Sequence, residues 1–445
     1  MWRGGGYKRD MKLHLRGANL ITCDALDRII FADLLVQDGR INTFLPHNSP
    51  TPEGAEVVDL SGRWLVPGFV QAHVHLVQTL FRGLADDLPL LDWLRQRIWP
   101  LERAHDPESI YWSARLGITE MLLGGTTAIL DMATVHHTDA VFEAASQAGI
   151  RASIGNAMMD RDNEAGLGTT TEAALAEAER LRIRWHGQGN LAFSYAPRFV
   201  PSCSEELLRQ TVALARKHGC QMHTHASENR DEVAMVKRMT GRDNVRYLHD
   251  LGMTGPDVIL AHCVHLTDDE VALLVETDTT LTHCPGSNCK LASGLARVPE
   301  LRAKGIRWAL GSDGAPCNNR MDIFAEMRLA ALLQKPRLGA ETMSATDVLR
   351  MATVDGARAL GLNAGSIEIG KQADLVVLDP DLPHSLGGGD PRSAIVYAMT
   401  PANVTDVFIG GRQVVCDRAV VGWSTAETIT HSKAALVRVR QRAGL

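Results

Sequence analysis

Between residues 67 and 366, short β-type runs alternate with amphipathic helical stretches eight times, and few folds accommodate that pattern. The runs lie at 68–72, 128–130, 152–154, 191–194, 221–224, 258–261, 280–282 and 307–310. Helical patterning follows most of them. Leu207, Leu208, Val212, Leu214 and Ala215 share one face of 205–218, and Ile323, Met327, Ala330 and Leu333 share one face of 322–334. Asp268, Asp269 and Glu270 place acids at a helix N-terminus, where the helix dipole favours them. Eight such units predict an α/β fold, a (β/α)8 TIM-type barrel.

The flanks differ in texture. Apolar runs at 13–20, 31–37 and 40–45 read as strands, with Asp38-Gly39 a hairpin signal between the last two. The same character returns at 373–378, 404–409 and 412–416, with Gly410-Gly411 as a turn. Residues 12–66 plus 367–425 are therefore expected to build a composite small β-sandwich domain from both chain ends, beside a barrel at 67–366 and a C-terminal helix at 426–445. Residues 1–11 carry charge but no apolar segment and are expected to be a disordered leader rather than a signal peptide.

Composition narrows the class of function. A net charge of −6 argues against nucleic-acid or anionic-membrane surfaces. No window offers about 18 uninterrupted apolar residues, so no membrane span is expected. The eight cysteines fall at irregular spacings and suggest reduced thiols and a cytoplasmic location.

In such barrels chemistry gathers at the C-terminal ends of the strands. Reading those ends in order gives His73 and His75, then His223, His225 and Glu228, then His262 and His265, then His283, and last Asp313. Residues i and i+2 of a strand face the same side, so His73 and His75 can point together into the barrel mouth. Imidazole nitrogen suits zinc or ferrous iron, and a catalytic site needs about three protein ligands plus an open position. A pair of half-buried structural histidines would explain His73 and His75 alone. It does not explain why further histidines and an aspartate stand at the ends of other strands. His223 and His225 share a face, and spacing alone does not separate them.

Pro67-Gly68-Phe69-Val70-Gln71-Ala72-His73-Val74-His75 resembles the PGxxxxHxH opening of the amidohydrolase superfamily. His225-Ala226-Ser227-Glu228 resembles its HxxE, Leu260-Ala261-His262-Cys263 its strand-6 histidine, and Gly311-Ser312-Asp313-Gly314 its strand-8 aspartate. Residues 370–378 resemble the GKxADLVxxD segment with which these chains re-enter their small β domain. The resemblance runs from about residue 12 to the C-terminal part, with the motifs in order. It implies one divalent metal per chain, zinc or iron, bound by His73, His75, His225 and Asp313, with Glu228, His262 and Asp313 as the catalytic groups. The HxxE relation favours His225 over His223, which would sit beneath the metal. Tyr195-Ala196-Pro197-Arg198 stands where binuclear members carry a bridging lysine, which implies a single ion.

Within that superfamily the chain is most similar to the aminohydrolase branch containing S-adenosylhomocysteine, methylthioadenosine and 5′-deoxyadenosine deaminases. Residues 78–94 resemble the loop after strand 1 in these proteins, where a tryptophan at the position of Trp93 lines the nucleoside site. Pro197-Arg198-Phe199 departs from their Pro-His and resembles the PRF of guanine deaminases, which makes Arg198 a candidate for ring acceptors or a ribose oxygen. His265 and His283 are rim candidates for substrate. The resemblance thus implies a deaminase of a small purine or nucleoside, most of all a 5′-modified adenosine, assembled as a dimer or tetramer. A guanine-type or other base deaminase, a triazine hydrolase and a non-catalytic binding protein are the alternatives.

Overall fold

The computed structural model describes residues 11–161 and 166–445; the expected leader lies outside them apart from Met11. Eight parallel strands occupy the positions of the apolar runs. They are β1 (Phe69–His75), β2 (Thr126–Met132), β3 (Arg151–Gly155), β4 (Leu191–Pro197), β5 (Gln221–Ala226), β6 (Val258–His262), β7 (Thr280–His283) and β8 (Arg307–Leu310). Each pairs with its sequence neighbours, and the ring closes just beyond β8, where Asp313 and Gly314 pair with Val74 and His75 of β1.

Small and branched side chains fill the inside of the ring: Val70, Ala72, Ala128, Leu130, Ile259 and Ala309 form one core. Phe69, Val74, Ile129 and Leu260 instead join the larger core beneath the surrounding helices. Val70 and Val74 have the same parity yet face opposite cores, because the register of β1 is irregular between Gln71 and Val74. Such an irregularity re-aims side chains. Here it leaves Val70 and Ala72 inside the ring and turns both histidines of the mouth inward above them.

The helices are set by local signals. Glu205–His218 begins at Ser204, whose side chain accepts from Leu207 N, and ends at Gly219 with φ 64°. Asp268–Glu276 begins with a reciprocal Thr267–Glu270 capping box. Among the described residues no helix is long and apolar enough to cross a membrane.

Strands from both ends of the chain join in one nine-stranded sheet. Asp38 and Gly39 turn between paired Gln37 and Arg40 with φ 50° and 77°, the conformation of a tight hairpin. Alternation then divides the later strands between two cores. Leu65, Leu375, Val377 and Phe408 pack with Leu13, Leu15, Leu34 and Val36 in a core of the sheet's own. Val66, Val376, Leu378, Val407 and Ile409 pack into the core shared with the barrel. The C-terminal helix Thr425–Ala443 lies on the barrel's helical coat, where Ala435 and Val439 meet Leu80, Phe81 and Leu101.

One buried ion pair fastens the sheet to the base of the barrel. Arg151, at the start of β3, donates through Nε and Nη2 to the carboxylate of Asp374 at 2.6 and 3.0 Å, and both side chains are 2% exposed or less. Asp374 also accepts from Gly410 N at 2.7 Å. Removing one partner of a buried pair leaves an uncompensated charge and typically costs about 3–5 kcal/mol. Asp374→Ala is therefore expected to lower unfolding stability by about that amount in denaturant titration. Unchanged stability would show that the pair does not couple the two layers.

Candidate metal and catalytic site

Five side chains meet at the C-terminal mouth of the barrel. Donor atoms of His73, His225, His262 and Asp313 all lie within 4.8 Å of one another. His75 Nε2 stands 3.2 Å from His225 Nε2 and 3.3 Å from Asp313 Oδ1, and His73 Nε2 stands 3.4 Å from the same oxygen. Atoms bound about 2.0–2.1 Å from a tetrahedral ion sit about 3.3–3.4 Å apart, so these separations fit a shared cation.

The backbone fixes which nitrogen each imidazole presents. His75 Nδ1 donates to the Met132 carbonyl at 2.7 Å, and His225 Nδ1 donates to the Arg198 carbonyl at 2.7 Å. Each ring then offers a lone pair at Nε2, and two such lone pairs at 3.2 Å repel unless a cation lies between them. His73 Nδ1 and His223 Nε2 are 2.8 Å apart, so His223 sits beneath the cluster and turns Nε2 of His73 toward Asp313. Buried Nε2 atoms of His73 and His262 have no hydrogen-bond partner. The donor chemistry and these orphaned atoms fit a divalent metal.

Electrostatics separate the carboxylates. Burial pushes Glu228 up to about 7, against the charge of His262. Burial would raise Asp313 as well, but the adjacent His73, His262 and His75 hold it well below the usual carboxylate range. Burial lowers His73, and it takes His75 down to about 4, so both stay neutral at physiological pH. Burial opposes the charging of His262, yet Glu228 and Asp313 raise it; its Nε2 lies 3.7 Å from Glu228 Oε2 and 3.8 Å from Asp313 Oδ2.

A pocket opens over these groups. His75, His225, Glu228 and Asp313 line its floor, and Leu90, Trp93, Leu94, Phe199 and Leu291 its apolar wall. Trp93, flagged by the sequence, is buried in that wall. Arg198 also lines the cavity, but its guanidinium is held by Glu102 through bonds of 2.7 and 3.0 Å. Glu102 takes further bonds from Gln78 Nε2 at 2.8 Å and Thr134 Oγ at 3.2 Å. The two remaining candidates lie elsewhere. His265 gives Nε2 to the Ser293 carbonyl at 2.7 Å and faces an outer groove with Arg230, Lys237 and Arg297. His283 is buried on β7 edge-on to Trp308, and burial takes it down to about 3.

Sequence reasoning missed Glu102 and Gln78, and it gave no role to Ser287 or Asn288. Ser287 Oγ donates to Asp313 Oδ2 at 2.7 Å, and Asn288 Oδ1 accepts from His262 Nδ1 at 2.9 Å. Ser287 and Asn288 stand in the segment 283–288, which resembles the adenosine-type deaminases, but that resemblance assigned them no role.

Residues 64–414 match the amidohydrolase family. The chain is 42% identical over 393 residues to a 5′-deoxyadenosine deaminase of Methanothermobacter thermautotrophicus, covering 86% of this chain and 89% of that protein. It is 38% identical over 416 residues to a 5-methylthioadenosine/S-adenosylhomocysteine deaminase of Symbiobacterium thermophilum, covering 91% and 94%. An adenosine deaminase from Xanthomonas campestris, solved with bound zinc, superposes with a TM-score of 0.90 at 31% identity, covering 97% of this chain and 99% of that one.

Partners that orient a ligand histidine typically contribute 10- to 100-fold, about that range, to metal affinity. His223→Ala is expected to weaken zinc binding by about 10–100-fold in competition with a chelator, with the fold retained. Unchanged affinity would show that His223 does not orient His73.

Proposed function

The chain belongs to the amidohydrolase family, and on that premise we propose that His73, His75, His225 and Asp313 hold one divalent ion, zinc or ferrous iron, above the barrel core. The protein is a hydrolytic deaminase of modified adenosines. Water replaces the exocyclic amino group of the purine, which leaves as ammonia while the ring carbon becomes a carbonyl. An ion held by these residues would supply Lewis acidity, lowering the pKa of a water from about 15.7 toward 7.

The observation that carries the assignment of roles is the placement of two carboxyls in one pocket: Asp313 Oδ1 lies 3.4 and 3.3 Å from Nε2 of His73 and His75, and Glu228 Oε2 lies 3.7 Å from Nε2 of His262. Asp313 is held low and Glu228 is raised to about 7. Such a pair divides naturally into a base and an acid. Asp313 takes the proton of the attacking water. Glu228 supplies one to the ring nitrogen beside the attacked carbon, which needs it as the tetrahedral centre forms. His262 Nε2, placed between the two carboxylates, holds the oxygen at that centre. Asp313 then passes its proton to the departing amine, and the proton left on the new C–OH group returns to Glu228 as the carbonyl forms.

The rest of the pocket binds. Trp93, Leu90 and Leu94 give the purine and its 5′ substituent an apolar wall. Arg198, steadied by Glu102, presents its remaining N–H groups to ring or ribose acceptors.

The purified protein is expected to release ammonia from 5′-deoxyadenosine, methylthioadenosine or S-adenosylhomocysteine, followed by the ultraviolet change as the 6-amino group is lost. Activity on guanine or a triazine, with none on any adenosine derivative, would overturn the substrate reading. Glu228→Gln is expected to keep its metal and lose about 10²–10⁴-fold in kcat, the range of a general acid–base group. Near-normal turnover, or lost metal, would remove Glu228 from the proton transfer.

A further inference from the structure

The segment after β7 places two neighbouring side chains against two groups of the reaction. Ser287 Oγ donates to Asp313 Oδ2 at 2.7 Å, while Asp313 Oδ1 accepts from Gly314 N at 2.7 Å and faces Nε2 of His73 and His75. The two oxygens of one carboxylate thus have different surroundings: Oδ1 belongs to the ligand side, and Oδ2 to the side of His262. Next to Ser287, Asn288 Oδ1 accepts from His262 Nδ1 at 2.9 Å, which leaves Nε2 of that ring facing Glu228 and Asp313. Both side chains are fully buried.

A third residue holds this segment in place. Glu326, itself fully buried, accepts from Gly286 N at 3.0 Å and from Asn318 Nδ2 at 2.8 Å. The same Asn318 amide donates to the Ser312 carbonyl at 2.7 Å, one residue before Asp313. Packing is tight enough that a Cβ at Gly286 would come within 2.5 Å of Glu326 Oε1 and 2.6 Å of Asn318 Oδ1. Glu326 therefore ties the segment after β7 to the segment after β8. Two of the side chains that act on the reacting atoms, His262 and Asp313, stand on β6 and just after β8, and their relative geometry passes through this clamp.

We propose that Ser287 and Asn288 are positioning residues for the deamination, anchored through Glu326. Ser287 fixes which oxygen of Asp313 meets the water, and Asn288 fixes which nitrogen of His262 meets the reacting centre. The inference rests on the roles given above to Asp313 and His262. It requires that Asn288 act as an acceptor. A flipped amide, with Nδ2 toward the ring, would impose the opposite tautomer.

Aspartate in place of Asn288 keeps the shape and can only accept, so it distinguishes the two orientations. Asn288→Ala is expected to lower kcat about 10–100-fold, the range of partners that orient a catalytic site, with KM little changed and the metal retained. Asn288→Asp is expected to recover most of that loss. Ser287→Ala, a smaller change that leaves the segment's backbone bonds intact, is expected to lower kcat in the same range with metal retained. A crystal structure of metal-free Asn288→Ala is expected to show the His262 ring rotated from its place, a readout independent of turnover. Normal kcat in both alanine variants beside an active wild type would overturn the inference alone. So would an Asn288→Asp enzyme no better than Asn288→Ala. A wild type silent on every adenosine derivative would overturn the reading of the site and the inference with it.

Discussion

Asp313 and Gly314 pair in parallel with Val74 and His75, and this short ladder joins the last strand of the barrel to the first. Without it, the aspartate and the two histidines of β1 would stand on opposite edges of an open sheet, more than two hundred residues apart in sequence. With it, Asp313 Oδ1 lies 3.4 and 3.3 Å from their Nε2 atoms. The closure is locally expensive. Asp313, His262, Cys263 and Ser227 all have positive φ without being glycine, at or just beyond the ends of β5, β6 and β8. Each such residue costs of order 1–3 kcal/mol, and the surrounding ladder and buried hydrogen bonds must hold it there. Strain gathered where the site is built marks the mouth of the barrel as its functional end.

Burial and backbone carbonyls then complete what closure begins. Burial keeps the His73, His75 and His225 imidazoles neutral, and the Met132 and Arg198 carbonyls select the nitrogen that keeps its lone pair on His75 and His225. One carboxylate stays charged because the histidines surround it, while another at Glu228 is raised because burial dominates. Arg198 serves twice: its carbonyl orients His225, and its guanidinium, saturated on one side by Glu102, forms part of the pocket wall.

Much of this was legible in the sequence. The eight apolar runs are fully or largely buried parallel strands, and such strands advertise themselves as continuous β-type runs. His73, His75, His262 and Asp313 were legible as candidates because strand ends and two-residue alternation have direct geometric meaning, whereas the preference for His225 over His223 and the role of Glu228 came only from the resemblance. Glu102 was not: its partner Arg198 lies 96 residues away, and no local pattern announces a pairing of that kind. Ser287 and Asn288 were hidden for the same reason, since their roles depend on what β6 and β8 bring to them. His265 and His283 show the converse limit. Both stand at strand ends, but one is turned outward to the Ser293 carbonyl and the other is buried on β7 outside the cavity lining. A strand-end position names candidates; the path of the loop beyond decides which of them enter the pocket.

The central claim is that a single ion shared by β1, β5 and the segment after β8 enables deamination. It is tested most directly by titrating zinc into metal-free protein while following ammonia release from 5′-deoxyadenosine. The account predicts that activity rises from near zero and saturates at one equivalent per chain. Saturation at two equivalents, or full activity in the metal-free protein, would contradict it.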